Sequence, residues 1–289
     1  MPNAIEAAIA NVNGQVGVAA KHLVTGKEFR YQADDIYFTA STLKVPVLVE
    51  LYRQASEGKI DLAKRITLED RLRVPGSGVM RELDNGLSLT VKDAAMLMII
   101  VSDNTATDIV YNLVGRDNLN ATMQRLGLTK TKTPMSTREL LFNMVGEKKV
   151  DDSTESFWRV HEKQIKWDVD KDCDALNEER SDVSSPSDMI RLLEMVYRNE
   201  IMPEEYSQGV IETLKRQKLK TVIPAYLPKG TVHAHKTGGV WSVRCDVGIV
   251  WGPNGPYTIA LMVKRSTDGT DMDSRLGKVS KAIYDEFAK

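Results

Sequence analysis

The chain has 289 residues, 39 Lys and Arg against 40 Asp and Glu, and a formal charge of -1. Hydrophobic residues make up 42% and charged residues 27%, which is too apolar for a disordered segment and too neutral for a generic polyanion binder. The length allows one large domain or two ordinary ones, either with a sizeable core.

The N-terminus, MPNAIEAAIANVNG, carries no basic region followed by an apolar run and a cleavage site. It is therefore not read as a signal peptide. The expectation is a cytoplasmic protein, or a secreted or periplasmic one if a leader was trimmed. Two strands come next: Gln15 to Leu23, then Thr25-Gly26-Lys27, then EFRYQ, a hairpin with a short Gly-containing turn.

From about 41 to 219 the apolar period is mostly helical. VLVELYRQASEG, LTVKDAAMLMIIVSD, TATDIVYNLVG, LNATMQRLGL and SPSDMIRLLEMVYRN are the clearest examples. Thr90 and Ser185-Pro186 read as helix starts, and Gly58, Gly115 and Gly127 as helix ends. The longest apolar run, Ala94 to Val101, is far short of the roughly 20 residues of a membrane span. The stretch 146–182 is the most polar part of the chain and reads as a solvated excursion, or as a lid over a cleft.

Near the C-terminus TVHAHKT, VRCDVGIVW and YTIALMVKR read as three strands, the last two joined by Gly252-Pro253-Asn254-Gly255-Pro256. Leu276, Val279, Ile283 and Phe287 then mark an amphipathic closing helix. A lone hairpin is marginal in water, so the N-terminal pair is expected to join the C-terminal three strands in one five-stranded antiparallel sheet. The fold class is α+β. Residues 1–38 and 220–289 form a discontinuous α/β subdomain, residues 39–219 an all-helical inserted one, and a small-molecule cleft lies between them. Cys173 and Cys245 are expected to be free thiols. No Cys/His pattern has metal-site spacing, and His233 and His235 read as structural.

Three short elements carry possible chemistry. Ser41-Thr42-Leu43-Lys44 stands where FTA enters a helical run, so the Ser41 hydroxyl and the Lys44 amine share one face. A serine hydroxyl needs a neighbouring base, and a desolvated lysine can be one. Pro46 sits early in that helix, where its missing N–H does least harm. Ser102-Asp103-Asn104 falls between two helices, where all three residue types also serve as plain caps. Lys236-Thr237-Gly238-Gly239 follows the alternating VHAH as an edge-strand end with two glycines after it, which reads as a bulge or as a close approach to a ligand.

Together and in this order, S-x-x-K, S-D-N and K-T-G resemble the motif set of the class A β-lactamase and penicillin-binding protein family. The likeness covers nearly the whole chain and includes the phrase GSGVMRELDNGLSLTVKDAAMLMIIVSDNTATD. It implies the β-lactamase-like, D-alanyl peptidase-like fold, with Ser41 as acylated nucleophile, Lys44 as its proton acceptor and Ser102 as proton shuttle. Asn104 would orient Lys44 and the substrate amide. Lys236 and Thr237 would bind the substrate carboxylate, and the N–H groups of Ser41 and Gly239 would form the oxyanion hole. Arg244 lies near a family carboxylate-binding arginine, but its spacing does not match and it reads equally as an outward strand residue.

The activity implied is β-lactam hydrolysis by a monomer without metal or organic cofactor, the partner being a small β-lactam or D-Ala-D-Ala-like molecule and not a nucleic acid. A D-alanyl peptidase, an esterase and a penicillin-binding sensor are the alternatives, because the family's E-x-x-L-N loop, whose glutamate activates the hydrolytic water, has no intact copy. Glu139 to Asn143 keeps the spacing yet also reads as an amphipathic helix. Cys173 to Asn177 has cysteine in place of glutamate, and Trp167-Asp168 offers a shorter carboxylate.

Overall fold

The computed structural model describes residues 4–147, 149–166 and 168–289. The chain begins with α1 (Ala4–Ile9), then β1 (Gln15–His22) and β2 (Glu28–Tyr31). The two-residue strand β3 (Tyr37–Phe38) leads into a 3-10 turn at Ala40–Leu43 and directly into α2 (Lys44–Ser56). A ribbon of β4 (Arg65–Thr67) and β5 (Ser88–Thr90) precedes α3 (Val91–Ile100), α4 (Asn104–Val114), α5 (Arg116–Arg125), α6 (Thr137–Met144) and α7 (Thr154–Ile165). Next come β6 (Val183–Ser184), which pairs with β3, then α8 (Pro186–Tyr197) and α9 (Glu204–Lys215). β7 (Val232–Val240), β8 (Val243–Gly252), β9 (Gly255–Lys264) and α10 (Met272–Phe287) complete the chain.

Local chemistry explains several boundaries. Thr90 and Asp93 form a reciprocal capping box at the start of α3. Ser185 accepts from the Asp188 N–H, with Pro186 at the first helical position of α8. Gly115, at φ 83°, separates α4 from α5 in a conformation that disfavours side chains.

The main sheet is antiparallel throughout, in the order β2-β1-β9-β8-β7. The expected five strands are present, and β1 pairs with β9 over its whole length, from Gln15↔Lys264 to His22↔Tyr257. Side chains alternate across the sheet, and both faces are buried. Val16, Val18, Ile259, Leu261 and Val263 pack with Ile5, Ile9, Leu276, Val279 and Ile283 of the terminal helices. Ala19, Ala234, Val247, Ile249 and Ala260 face the core made by the central helices. The terminal helices thus cover one face and leave the other to α2, α8 and α9.

Two features differ from the expected outline. The helical region also carries β4, β5 and β6. The 146–182 stretch is more than a solvated excursion. It contains α7, whose Phe157 and Val160 are buried, and Val160 packs with Phe142 and Val145. Both cysteines are free and buried, and Cys173 packs beside Leu140, Met144 and Ala175. Among the described residues no helix is long and apolar enough to cross a membrane.

Ile283 is fully buried between α10 and the sheet. Ile283→Ala is expected to lower the unfolding free energy by about 3 kcal/mol through lost burial and a residual cavity, measured as a shift in the denaturant midpoint.

Candidate active site

A cavity of about 240 Å³ opens beside the Ala40–Leu43 turn. Ser41, Lys44, Asn104 and Gly239 all line it. Ser102, Lys236 and Thr237 are buried, and Ser102 reaches the site through Lys44. The sequence-predicted residues therefore come together from a 3-10 turn, an interhelical junction and an edge strand.

Lys44 is the first residue of α2 and has no exposed surface. Its Nζ donates to the Ser102 carbonyl at 2.7 Å, to Ser102 Oγ at 3.0 Å and to Asn104 Oδ1 at 2.9 Å. Burial, then the charge of Lys236, push its pKa well below the usual lysine range, against Asp103 and Asp108. A neutral amine would keep two N–H donors and gain a lone pair, which suits a proton acceptor. Ser41 stands one turn earlier on the same cavity wall.

The S-D-N junction both caps α4 and holds Lys44. The Asp103 carboxylate caps α4 at the Ala106 N–H and also accepts from the Val79 and Met80 N–H groups. It therefore holds the 77–80 segment against the helix. Ser102 adopts φ 56° and Ala40 φ 42°, both left-handed conformations that cost a non-glycine residue on the order of 1 kcal/mol. Asn104 Nδ2 donates to the Pro75 carbonyl, and the Asn104 N–H to the Ser77 carbonyl. Sequence reasoning assigned no role to Ser77. Its hydroxyl donates to the Ser102 carbonyl at 2.7 Å and lies 3.1 Å from Asn104 Oδ1, and it lines the cavity. Its signal was in plain view within the GSGVMREL phrase.

The K-T-G segment lies inside β7, which continues through both glycines to Val240 in regular register with β8. The expected strand end with a bulge is thus corrected. Glycine is required at 238 by proximity: a Cβ there would lie 2.8 Å from the Thr39 carbonyl and 2.9 Å from the Ser41 nitrogen. The edge strand can therefore run against the turn that carries Ser41. Lys236 is fully buried and donates to the Thr237 carbonyl at 2.5 Å. Burial pushes its pKa down to about 7, against the opposing pull of Asp246. Asp246 in turn accepts from His235 Nδ1 at 2.9 Å and from the Ile223 N–H. His233 packs edge-on against His235, so the pair fits the structural reading. Arg244 lies over Gly239 and meets Asp273 at 2.6 Å, which leaves it an ion-pair partner in α10.

Glu139 is not where a water-activating base would stand. It is the third residue of α6, in a capping box with Ser136, and it is ion-paired with Arg116. Burial raises its pKa, but the hydrogen bonds from Arg116 and the Ser136 N–H lower it further, so the net shift is downward. The cavity is lined instead by Thr137, Leu140, Leu141 and Met144 from the same helix. The helical reading of this segment therefore prevails. Asn143 Oδ1 accepts from the Ala175 N–H at 2.7 Å, which joins the two partial loop motifs. Asp168 is exposed, and Trp167 lies outside the described residues. Among the described residues no Asp or Glu lines the cavity.

Fold and motif-bearing cavity together define the β-lactamase-like class of hydrolases. The chain belongs to the β-lactamase enzyme family, whose model matches residues 2–287. Beta-lactamase 3 of Bacillus cereus is 24% identical over 91% of this chain and 74% of its own. The crystal structure of a β-lactamase from Sphaerobacter thermophilus superposes with a TM-score of 0.81 at 25% identity, covering 98% of this chain and 96% of that one. The penicillin-binding protein PBP-A gives 0.79 at 25% identity, covering 98% and 94%.

Glu139→Gln is expected to leave the breakdown rate of any Ser41 acyl-enzyme unchanged while lowering stability by about 1 kcal/mol through the weakened cap and ion pair. Single-turnover mass spectrometry and thermal unfolding measure the two effects, and slowed breakdown would return Glu139 to the mechanism.

Proposed function

We propose that the protein is a serine hydrolase acylated at Ser41 by β-lactams. The observation that carries this reading is the buried Lys44 amine, held by Ser102 and Asn104 one turn from the Ser41 hydroxyl. Ser41 Oγ attacks the lactam carbonyl carbon, and its proton passes to neutral Lys44. The ring C–N bond breaks, and the leaving nitrogen takes a proton through Ser102. Lys236 and Thr237 bind the substrate carboxylate, and the Ser41 and Gly239 N–H groups receive the oxyanion.

Water must then cleave the ester. The lack of a cavity-lining carboxylate among the described residues supports a second reading, in which acylation is fast and hydrolysis slow. The protein would then act as a penicillin-binding module or as a peptidase or esterase of the same fold, rather than as an efficient β-lactamase. Incubation with penicillin, followed by intact mass and turnover, separates these. A persistent adduct on Ser41 supports the slow-hydrolysis reading, and rapid turnover supports the β-lactamase. With no adduct and no turnover, β-lactam recognition is wrong, and cleavage of an ester or of D-Ala-D-Ala is the remaining activity.

The two lysines also set a pH profile. Lys44 acts neutral, so acylation falls on the acid side as it gains a proton. Lys236 acts charged, so acylation falls as pH rises through about 7, where it loses its proton. Lys236→Arg retains the charge and is expected to move the alkaline limb to higher pH. An unmoved limb would assign it to another group.

A further inference from the structure

We propose that Ser77 is a positioning residue for the Ser41 reaction, whose hydroxyl supplies the hydrogen bond that lets the Lys44 amine stand neutral between Ser102 and Asn104. The inference rests on the Ser41 reading above and adds a residue that acts through Lys44. Ser77 lines the cavity. Its Oγ donates to the Ser102 carbonyl at 2.7 Å and reaches Asn104 Oδ1 at 3.1 Å. Both oxygens also accept from Lys44 Nζ, at 2.7 and 2.9 Å. Two of the three oxygens that hold the lysine are therefore shared with one serine hydroxyl.

The two forms of a lysine carry different numbers of donors. An ammonium has three N–H groups, one for each oxygen around Lys44, and a neutral amine has two. Proton loss thus withdraws a donor from a buried acceptor, which is unfavourable unless another donor takes over. A hydroxyl has one hydrogen and can turn it to either shared oxygen, so Ser77 covers whichever of the two the amine releases. While Lys44 is charged, the same hydroxyl competes with it for one acceptor. Both effects favour the neutral form. The charged groups around Lys44 are Lys236 on β7, which acts in the same direction, and Asp103 and Asp108, which oppose it. None of them replaces the missing donor, because Lys236 donates to the Thr237 carbonyl. Ser77 is held in place on both sides. Its carbonyl accepts the Asn104 N–H, and Asp103 binds the Val79 and Met80 N–H groups just beyond it. Asn104 Nδ2 is bound to the Pro75 carbonyl, which fixes Oδ1 toward Ser77 and Lys44.

The test reads Lys44 directly and through the reaction. The carbon NMR shift of Lys44 Cε, identified by its loss in Lys44→Met, is followed against pH in the unacylated protein. The second-order rate of Ser41 acylation by penicillin is followed over the same pH range by intact mass. Ser77→Ala is expected to raise the midpoint of the Lys44 titration by roughly half a unit to one unit, the worth of one hydrogen bond. The acid limb of acylation should move upward by the same amount while the alkaline limb stays. Ser77→Thr keeps the hydroxyl and is expected to restore the wild-type midpoint and limb. An acid limb unmoved by Ser77→Ala, or a rate lowered equally at every pH, would make Ser77 a loop-holding residue and overturn the inference while the Ser41 reading stands. Wild-type protein that penicillin does not acylate would remove the Ser41 reading and this inference with it.

Discussion

The site depends on one desolvated amine. Lys44 has no exposed surface, and three oxygens converge on its Nζ. Taking an ammonium out of water is unfavourable, and a protein responds by pairing the charge or by shedding a proton. Among the described residues no carboxylate bonds Lys44 directly, and Lys236 adds a second positive charge nearby. Burial and Lys236 therefore lower its hold on the proton, against Asp103 and Asp108, which is the direction a general base requires. The left-handed backbone at Ala40 and Ser102 belongs to the same arrangement. It places both hydroxyl-bearing segments against the amine at some loss of local stability.

The second lysine has a different setting. Lys236 is also fully buried, but Asp246 behind it favours the charged form. His235 holds Asp246 in place from the same strand as Lys236. Two buried lysines so close together would repel if both were charged. Their environments differ accordingly: burial and Lys236 lower the pKa of Lys44 well below the usual lysine range, and Asp246 partly offsets the burial of Lys236.

Much of this was legible in the sequence. The three motifs sit on the elements predicted for them because caps, helical spacing and strand alternation are local signals. That the N-terminal pair shares one antiparallel sheet with the C-terminal strands followed from a hairpin that needed partners; the strand order did not. Less was legible where long-range packing decides. The alternating VHAH phrase held no measure of where β7 ends, because two glycines read as a stop; only the close approach to Thr39 and Ser41 explains why they continue the strand. Glu139 to Asn143 matched a loop pattern and a helix equally well, and the capping box with Ser136 decides for the helix. The polar 146–182 stretch hid α7 because few of its residues are buried, and two of those few, Phe157 and Val160, are diluted among charges. Ser77 stood inside the quoted GSGVMREL phrase, but its part comes from where the fold brings it, against Ser102 and Asn104.

The pairing of β1 with β9 has a consequence for biosynthesis. Gln15 lies beside Lys264 and Val18 beside Leu261, so the first strand waits for nearly the whole polypeptide to emerge before it finds its neighbour. Gly238, which packs on the Ser41 turn, arrives equally late. Contacts between such distant parts of a chain form slowly and last. A ribosome-bound product cut short before β7 would thus carry Ser41 without Lys236 or Gly238 beside its turn.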